Sequence, residues 1–367
     1  MFILARIVGI SIYVIAIFGF TNLIRYIKKE QLILALILFW GTLCCIAFAY
    51  EPHFTSYLYR IRIYARDFAQ QTYQEFWDSI INQTTPLAST PAAMIYYRLL
   101  GRLKEEGWVA AVTCACVFLL IFNIVYDTYK RGATKYAVAA GLFIFFTGDI
   151  FITTIATIRS YLACTFVAFC IYREIIRHKF NIINIVLYVL AALFHAQGII
   201  LILLRVIFFV LFQKNSVRNK VLGLTIVIIL GTLLFPLYRN ILNNSLETMG
   251  GYLLDSNAYG YLWEIIICFL QLIIQMMIYI TIKKNNIKIN KEYLKFSGLL
   301  ILISIVSFIQ FAFMQRFSFF CAVIVLPNTI IALDKINIKM KNNIILIAII
   351  SLVITCTRGY LCSLKFW

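Results

Sequence analysis

Charge is scarce in this chain: 13% of its 367 residues are Asp, Glu, Lys or Arg, where a soluble globular domain carries about one quarter. Acids are the scarcest, with 15 Asp and Glu against 33 Lys and Arg. The ten cysteines include no C-x-x-C pair. Cys44-Cys45 and Cys114-x-Cys116 sit in apolar stretches and read as small buried hydrophobes. The three histidines, His53, His178 and His195, are too dispersed for a metal centre. The sequence also has no Gly-rich phosphate loop, no G-x-S-x-G, no repeat of fixed period and no low-complexity tract. These absences argue against a zinc domain, a P-loop nucleotide site, a serine hydrolase elbow and a solenoid. No metal and no cofactor is implied.

What the chain has is apolar sequence throughout. Hydrophobic residues make up 63%, and the mean hydropathy of +0.91 extends over the whole length, so lipid is the solvent. Apolar stretches fall near 2–24, 32–49, 107–126, 136–156, 158–172, 181–196, 199–213, 221–238, 262–282, 296–314, 317–333 and 343–357. The expected fold is an all-α polytopic integral membrane protein of about 12 transmembrane helices, a single transmembrane domain over 1–367. At roughly 20 residues per span, little length remains for a soluble domain.

Six basic clusters separate each odd stretch from the next even one: Arg25 to Lys29, Lys130 to Lys135, Arg173 to Lys179, Lys214 to Lys220, Lys283 to Lys295 and Lys335 to Lys341. The positive-inside rule makes all six cytoplasmic, so both termini lie outside. The first stretch lacks a small-residue cleavage pattern and reads as a retained anchor. In a soluble protein the net charge of +18 would suggest nucleic acid. Sorted by side it becomes +15 inside and +3 outside, so most of it is topogenic and no nucleic-acid partner is needed.

Segments 136–172 and 181–213 are basic at both ends, so each is expected to be a hairpin opening to the outer face. The arms of the second have about 15 residues, or about 23 Å at 1.5 Å per residue, short of a ~30 Å hydrocarbon core. Its apex, Phe194 to Gly198, should therefore form the floor of an outer depression. The first hairpin is expected to turn near Arg159. The long outer loops are 50–107, with Pro-marked turns at Thr85-Pro86 and Thr90-Pro91, and 239–261. The first is expected to form short amphipathic helices on the outer face.

The type of base differs by side. The inner set of 20 has 15 Lys and 5 Arg, whereas the outer and intramembrane set of 13 has 11 Arg and only Lys104 and Lys365. Guanidinium offers a planar fork of donors that matches phosphate, so the bias points to an anionic ligand handled from outside. Pairing of these arginines with outer acids is the plain alternative. Arg205, deep in a short arm, is a ligand candidate by the cost of charge in a membrane, or a structural partner of Asp149. His195 at the apex is either a satisfied polar residue or a base or hydrogen-bond donor toward a hydroxyl.

Thr157-Ile-Arg159-Ser-Tyr161-Leu-Ala163, the basic turn Tyr172 to Lys179, and Leu190-Ala-Ala-Leu-Phe194-His195-Ala-Gln197-Gly198 resemble the Arg-then-His core of EpsG-type, Wzy-like polysaccharide polymerases. Gln315-Arg316-Phe317 followed by Leu326-Pro327 is similar to that family's Arg-containing penultimate helix. Asp67 and Tyr73 match its early loop residues, whereas an acidic residue usual ahead of the loop's second half is replaced by Thr84-Thr85-Pro86.

The resemblance implies a membrane glycosyltransferase of the bacterial inner membrane, acting at its outer face on undecaprenyl-diphosphate-linked oligosaccharide. A chain-length regulator and a flippase of the same pathway are the implied partners. On that reading Arg159, Arg316 and His195 are the catalytic candidates. Arg205, Asp149, Tyr161, Arg239, Asp67, Tyr73 and Gln197 are the substrate-contacting ones. A lipid-linked oligosaccharide flippase and a membrane acyltransferase are the rival classes.

Overall fold

The computed structural model describes residues 2–52, 56–85, 87–212, 258–309, 311–361 and 365–366. The chain is almost wholly helical there: α1 (Phe2–Tyr26), α2 (Leu32–Ala49), α3 (Tyr57–Gln70), α4 (Tyr73–Ile81), α5 (Pro91–Gly101), α6 (Gly107–Lys130), α7 (Lys135–Thr147), α8 (Ile150–Ala156), α9 (Ile158–Ile175), α10 (Ile182–Phe194), α11 (Ala196–Phe212), α12 (Ala258–Lys284), α13 (Lys291–Val306), α14 (Phe311–Lys335) and α15 (Ile338–Leu361). Two short strands, β1 (Tyr50–Glu51) and β2 (Lys365–Phe366), pair antiparallel. Among these helices five are long and apolar enough to cross a membrane, or six if the bent pair α7 and α8 forms one span. The fold is thus that of an all-α, multi-pass membrane protein. The stretch 221–238 and Arg239 lie outside the described residues.

At the centre stand α7, α9 and α14, apolar on all sides as a helix must be when it packs on every face. Every residue of α9 is buried except Arg159, near its start, and Glu174, near its end. Around this core run helices whose outer faces are apolar as well. On α10, Ile182, Ile185, Val186, Val189 and Leu193 are all exposed, a continuous greasy surface that water would not tolerate.

One end of the bundle gathers five of the six basic clusters. The Lys135 ammonium donates to the Ile27 carbonyl at 2.9 Å, and the Thr134 hydroxyl donates to Asp334. Arg177 pairs with Asp127 at 3.1 Å, and the Asn290 amide donates to the Ile175 carbonyl at 3.2 Å. The sixth cluster, 214–220, lies outside the described residues. The opposite end carries the β1–β2 pair and the layer formed by α3, α4 and α5. That layer is fixed by arginines bound to the protein itself. Arg62 donates to the Tyr50 carbonyl at 2.6 Å and lies 3.9 Å from Glu106. Arg98 donates to the Gln71 and Thr72 carbonyls at 2.9 and 3.2 Å. Helix α4 starts on a capping box in which the Thr72 backbone N–H and hydroxyl hold the Glu75 carboxyl below its usual range.

The arms α10 and α11 form a hairpin. Glu174 accepts from Tyr188 on α10 at 2.7 Å and pairs with Arg205 on α11 at 3.2 Å, so the two arms return to one level. Phe194, just before the apex, meets Phe166 on α9 with ring centroids 6.1 Å apart. Phe166 is seven residues further along α9 than Arg159, or about 10 Å, so the apex is sunken. With 13 and 17 residues the arms are unequal. The first hairpin turns near Arg159, as expected: the chain bends by 53° after α7, runs on through the short helix α8 and breaks at Thr157, which puts Arg159 in the first turn of α9. Gly148 and the N-cap residue Asp149, whose side chain cannot continue a helix cheaply, mark the bend.

Gly198 makes the apex possible, because a Cβ there would drive into the Ala191 carbonyl, which accepts the His195 N–H at 3.2 Å. Gly198→Ala is expected to cost about 1–3 kcal/mol, as overpacking does, and to lower the thermal midpoint of the purified protein. Gly41→Ala, with open space around it, should leave the midpoint unchanged or raise it, since Ala is the better helix former.

Candidate active site

Three residues far apart in the chain converge below the α3–α5 layer. Arg159 enters from the start of α9, Arg316 from the second turn of α14, and His195 from the one-residue break between α10 and α11. Arg159 is held from above. Its Nε–H donates to the Tyr57 hydroxyl at 2.6 Å, its Nη1–H to the Thr90 hydroxyl at 3.0 Å, and the guanidinium lies 5.7 Å from the Tyr57 ring centroid. Tyr57 opens α3 under the cap of Ser56, and Thr90 precedes Pro91, which starts α5. Two elements of the outer layer therefore exist at this point to place hydroxyls on one guanidinium.

Arg316 has no hydrogen bond and no ion pair among the described residues, and it is only half-buried. The groups close enough to act on its charge include Tyr57, Arg159 and Tyr161. Arg316 and Arg159 are in turn the charges that act on His195. Two guanidinium groups thus repel one another with no carboxylate paired to either among the described residues. The N-terminus of α9 adds partial positive charge beside Arg159. Such an arrangement is at its most stable with an anion between the cations, and the planar forks suit a phosphate.

His195 is extended, with φ −161° and ψ 140°, and its Nδ1 accepts the backbone N–H of Gln197 at 3.1 Å. The ring therefore caps α11 much as Asn or Ser would. An acceptor Nδ1 places the ring hydrogen on Nε2, and the imidazole then presents a donor rather than a base to whatever lies below the layer.

The remaining predicted residues separate into groups. Tyr161 is buried beside Arg316 and packs on Phe319 with centroids 4.0 Å apart. Asp149 lines a small cavity of about 30 Å³ with Tyr161, Glu264 and Gln315. Gln197 is buried next to His195 and its amide has no partner among the described residues. Asp67 and Tyr73 are exposed on the outer layer, Tyr73 stacking edge-on with Trp77.

Arg205 lies about ten residues down α11, where it pairs with Glu174 at 3.2 Å and Glu292 at 3.8 Å rather than with Asp149, the structural partner the sequence suggested. Arg205→Ala would take the cation away from Glu174, a mostly buried acid, at a cost of about 3–5 kcal/mol. The expected outcome is a large drop in thermal midpoint, partly restored by the Glu174→Gln partner change.

The sequence reading missed Tyr57, Tyr64, Thr90 and Tyr97, of which Tyr57, Tyr64 and Tyr97 act on the Arg159 charge. Tyrosines of an outer loop look the same whether they face a site or a membrane interface. The spacing of Tyr57 and Tyr64, two turns apart on one helix face, was the available signal. Comparisons with protein-family models, with curated proteins and with solved structures find no match to this chain.

Proposed function

We propose that the chain is a metal-independent polysaccharide polymerase of the bacterial inner membrane, with about twelve spans and both termini outside. It joins undecaprenyl-diphosphate-linked oligosaccharide repeat units at the outer face. The observation that carries this reading is the Arg159–Arg316 pair, two guanidinium groups without carboxylate partners among the described residues, under a layer of tyrosines. The Lys-rich end is then cytoplasmic and the sunken hairpin opens outward.

In this reaction the acceptor hydroxyl oxygen bonds to the anomeric carbon of the growing chain. The bond from that carbon to the lipid diphosphate breaks, and the diphosphate leaves with the electron pair. Arg159 and Arg316 stabilise the charge that develops on it, in a site partly shielded from water where such donors count most. Tyr57 and Thr90 fix the fork of Arg159 so that little reorganisation is needed. His195 donates from Nε2 to an oxygen of the leaving group or the acceptor. The departing diphosphate can take the acceptor's proton, so the scheme needs no side-chain base. Tyr57 and Tyr64, both partly exposed on α3, offer aromatic edges and faces to sugar rings.

Deleting the gene tests the reading. A polymerase predicts surface glycan reduced to single capped repeat units, whereas loss of a flippase predicts no units at the surface at all. Normal polymer length in the deletion strain would sink it.

A further inference from the structure

The end of the bundle opposite the candidate active site carries a cleft of about 420 Å³, within the size range of ligand pockets. Its walls come from the end of α6, the loop after α9, the loop before α13 and the middle of α14. Arg131, His178 and Lys288 supply its charged and titratable groups, Tyr172, Asn290 and Asn328 its polar ones, and no carboxylate lines it.

The nearest acid on these elements is Asp127, already engaged by Arg131 at 2.9 Å, Arg177 at 3.1 Å and the Tyr172 hydroxyl at 2.7 Å. Arg131 uses only its Nε in that pair, which leaves both terminal NH2 groups unbonded among the described residues. Lys288 and His178 make no hydrogen bond or ion pair among them either. His178 has φ 50°, a left-handed conformation that is uncommon outside glycine but that His, Asn and Asp adopt more readily than other residues. It is fixed there by the Lys179 N–H donating to the Arg173 carbonyl at 2.9 Å. Setting topology requires only that basic residues lie on this side; it does not require three of them, from three separate connections, to face one concavity.

We infer that this cleft binds a phosphate-bearing anion, independently of the reaction at the other end. Its position at the helix ends suits the headgroup of an anionic phospholipid, and the same donors fit a soluble phosphate.

The test uses the full-length protein purified in neutral detergent. Bound phosphatidylglycerol is counted by native mass spectrometry, with phosphatidylcholine as the uncharged-headgroup control and inorganic phosphate as competitor. Two variants are compared: the pair His178→Asn and Lys288→Gln, which leaves the Asp127 cluster intact and uses Asn because it tolerates the left-handed backbone, and the pair Lys339→Gln and Lys341→Gln, which lies in a different basic cluster. The cleft pair is expected to weaken phosphatidylglycerol retention at least about tenfold, and the control pair less than about twofold. Displacement by inorganic phosphate would support a site for the phosphate group itself, and retention against it a site for the lipid. Equal losses in the two variants, or equal retention of phosphatidylcholine by the unaltered protein, would overturn the inference.

Discussion

Arg316→Ala is expected to abolish polymer formation, by roughly a hundredfold to a thousandfold or more as for a lost transition-state donor, while leaving the protein as stable as before or more so. The two signs come from one fact: Arg316 has no protein partner among the described residues and feels the like charge of Arg159. Its removal orphans no acid and relieves a repulsion that only a ligand would offset. A residue kept for packing behaves in the opposite way, losing stability first. The measurements are the length of the product ladder from lipid-linked oligosaccharide in proteoliposomes and the thermal midpoint of the same preparation. Arg316→Lys restores the charge but not the planar fork, and should recover part of the activity at most. Full-length polymer from Arg316→Ala would remove the central support for the proposed chemistry. Arg159→Ala is the less clean test, because it also strips partners from Tyr57 and Thr90.

The second large effect separates two roles of His195. Asn can accept the Gln197 N–H in place of Nδ1 but has nothing at the position of Nε2. Gln can present an amide donor near Nε2 but loses the cap. If donation from Nε2 matters, His195→Asn keeps stability and loses activity roughly tenfold to a hundredfold, the value of a hydrogen bond to a charged group. His195→Gln then loses about 1 kcal/mol of stability, as a lost cap does, yet stays the more active of the two. A general base predicts something else: both variants fall by about a hundredfold or more, since neither amide can take a proton. Equal collapse of the pair would therefore refute the donor role, and a bell-shaped pH profile lost in both would point to a base.

The parity of the six basic clusters placed the helix connections on sides, and hydrogen bonds between Ile27 and Lys135, Thr134 and Asp334, and Ile175 and Asn290 join those ends in space. That much was legible because topogenic charge is a property of each segment alone. The short arms around His195 were legible for a similar reason, since length in residues converts directly into depth. Arg205 was not. Its position in an apolar stretch says that it needs a partner, but Glu174 and Glu292, the acids that neutralise it, come from other helices and bear no local mark of that role.

Apolar length and charge parity made this chain an all-α membrane protein, because lipid imposes its demands on each helix separately. The sequence also put Arg159, His195 and Arg316 forward as candidates, each from its own short motif. Only the packing of α9, α11 and α14 beneath the outer layer decided that the three come within reach of one another's charge while Arg205 meets Glu174 and Glu292, and only the Gln197 N–H decided which nitrogen of His195 is left open. Those outcomes depend on which distant residues arrive beside a side chain, and the chain's own neighbours do not encode that.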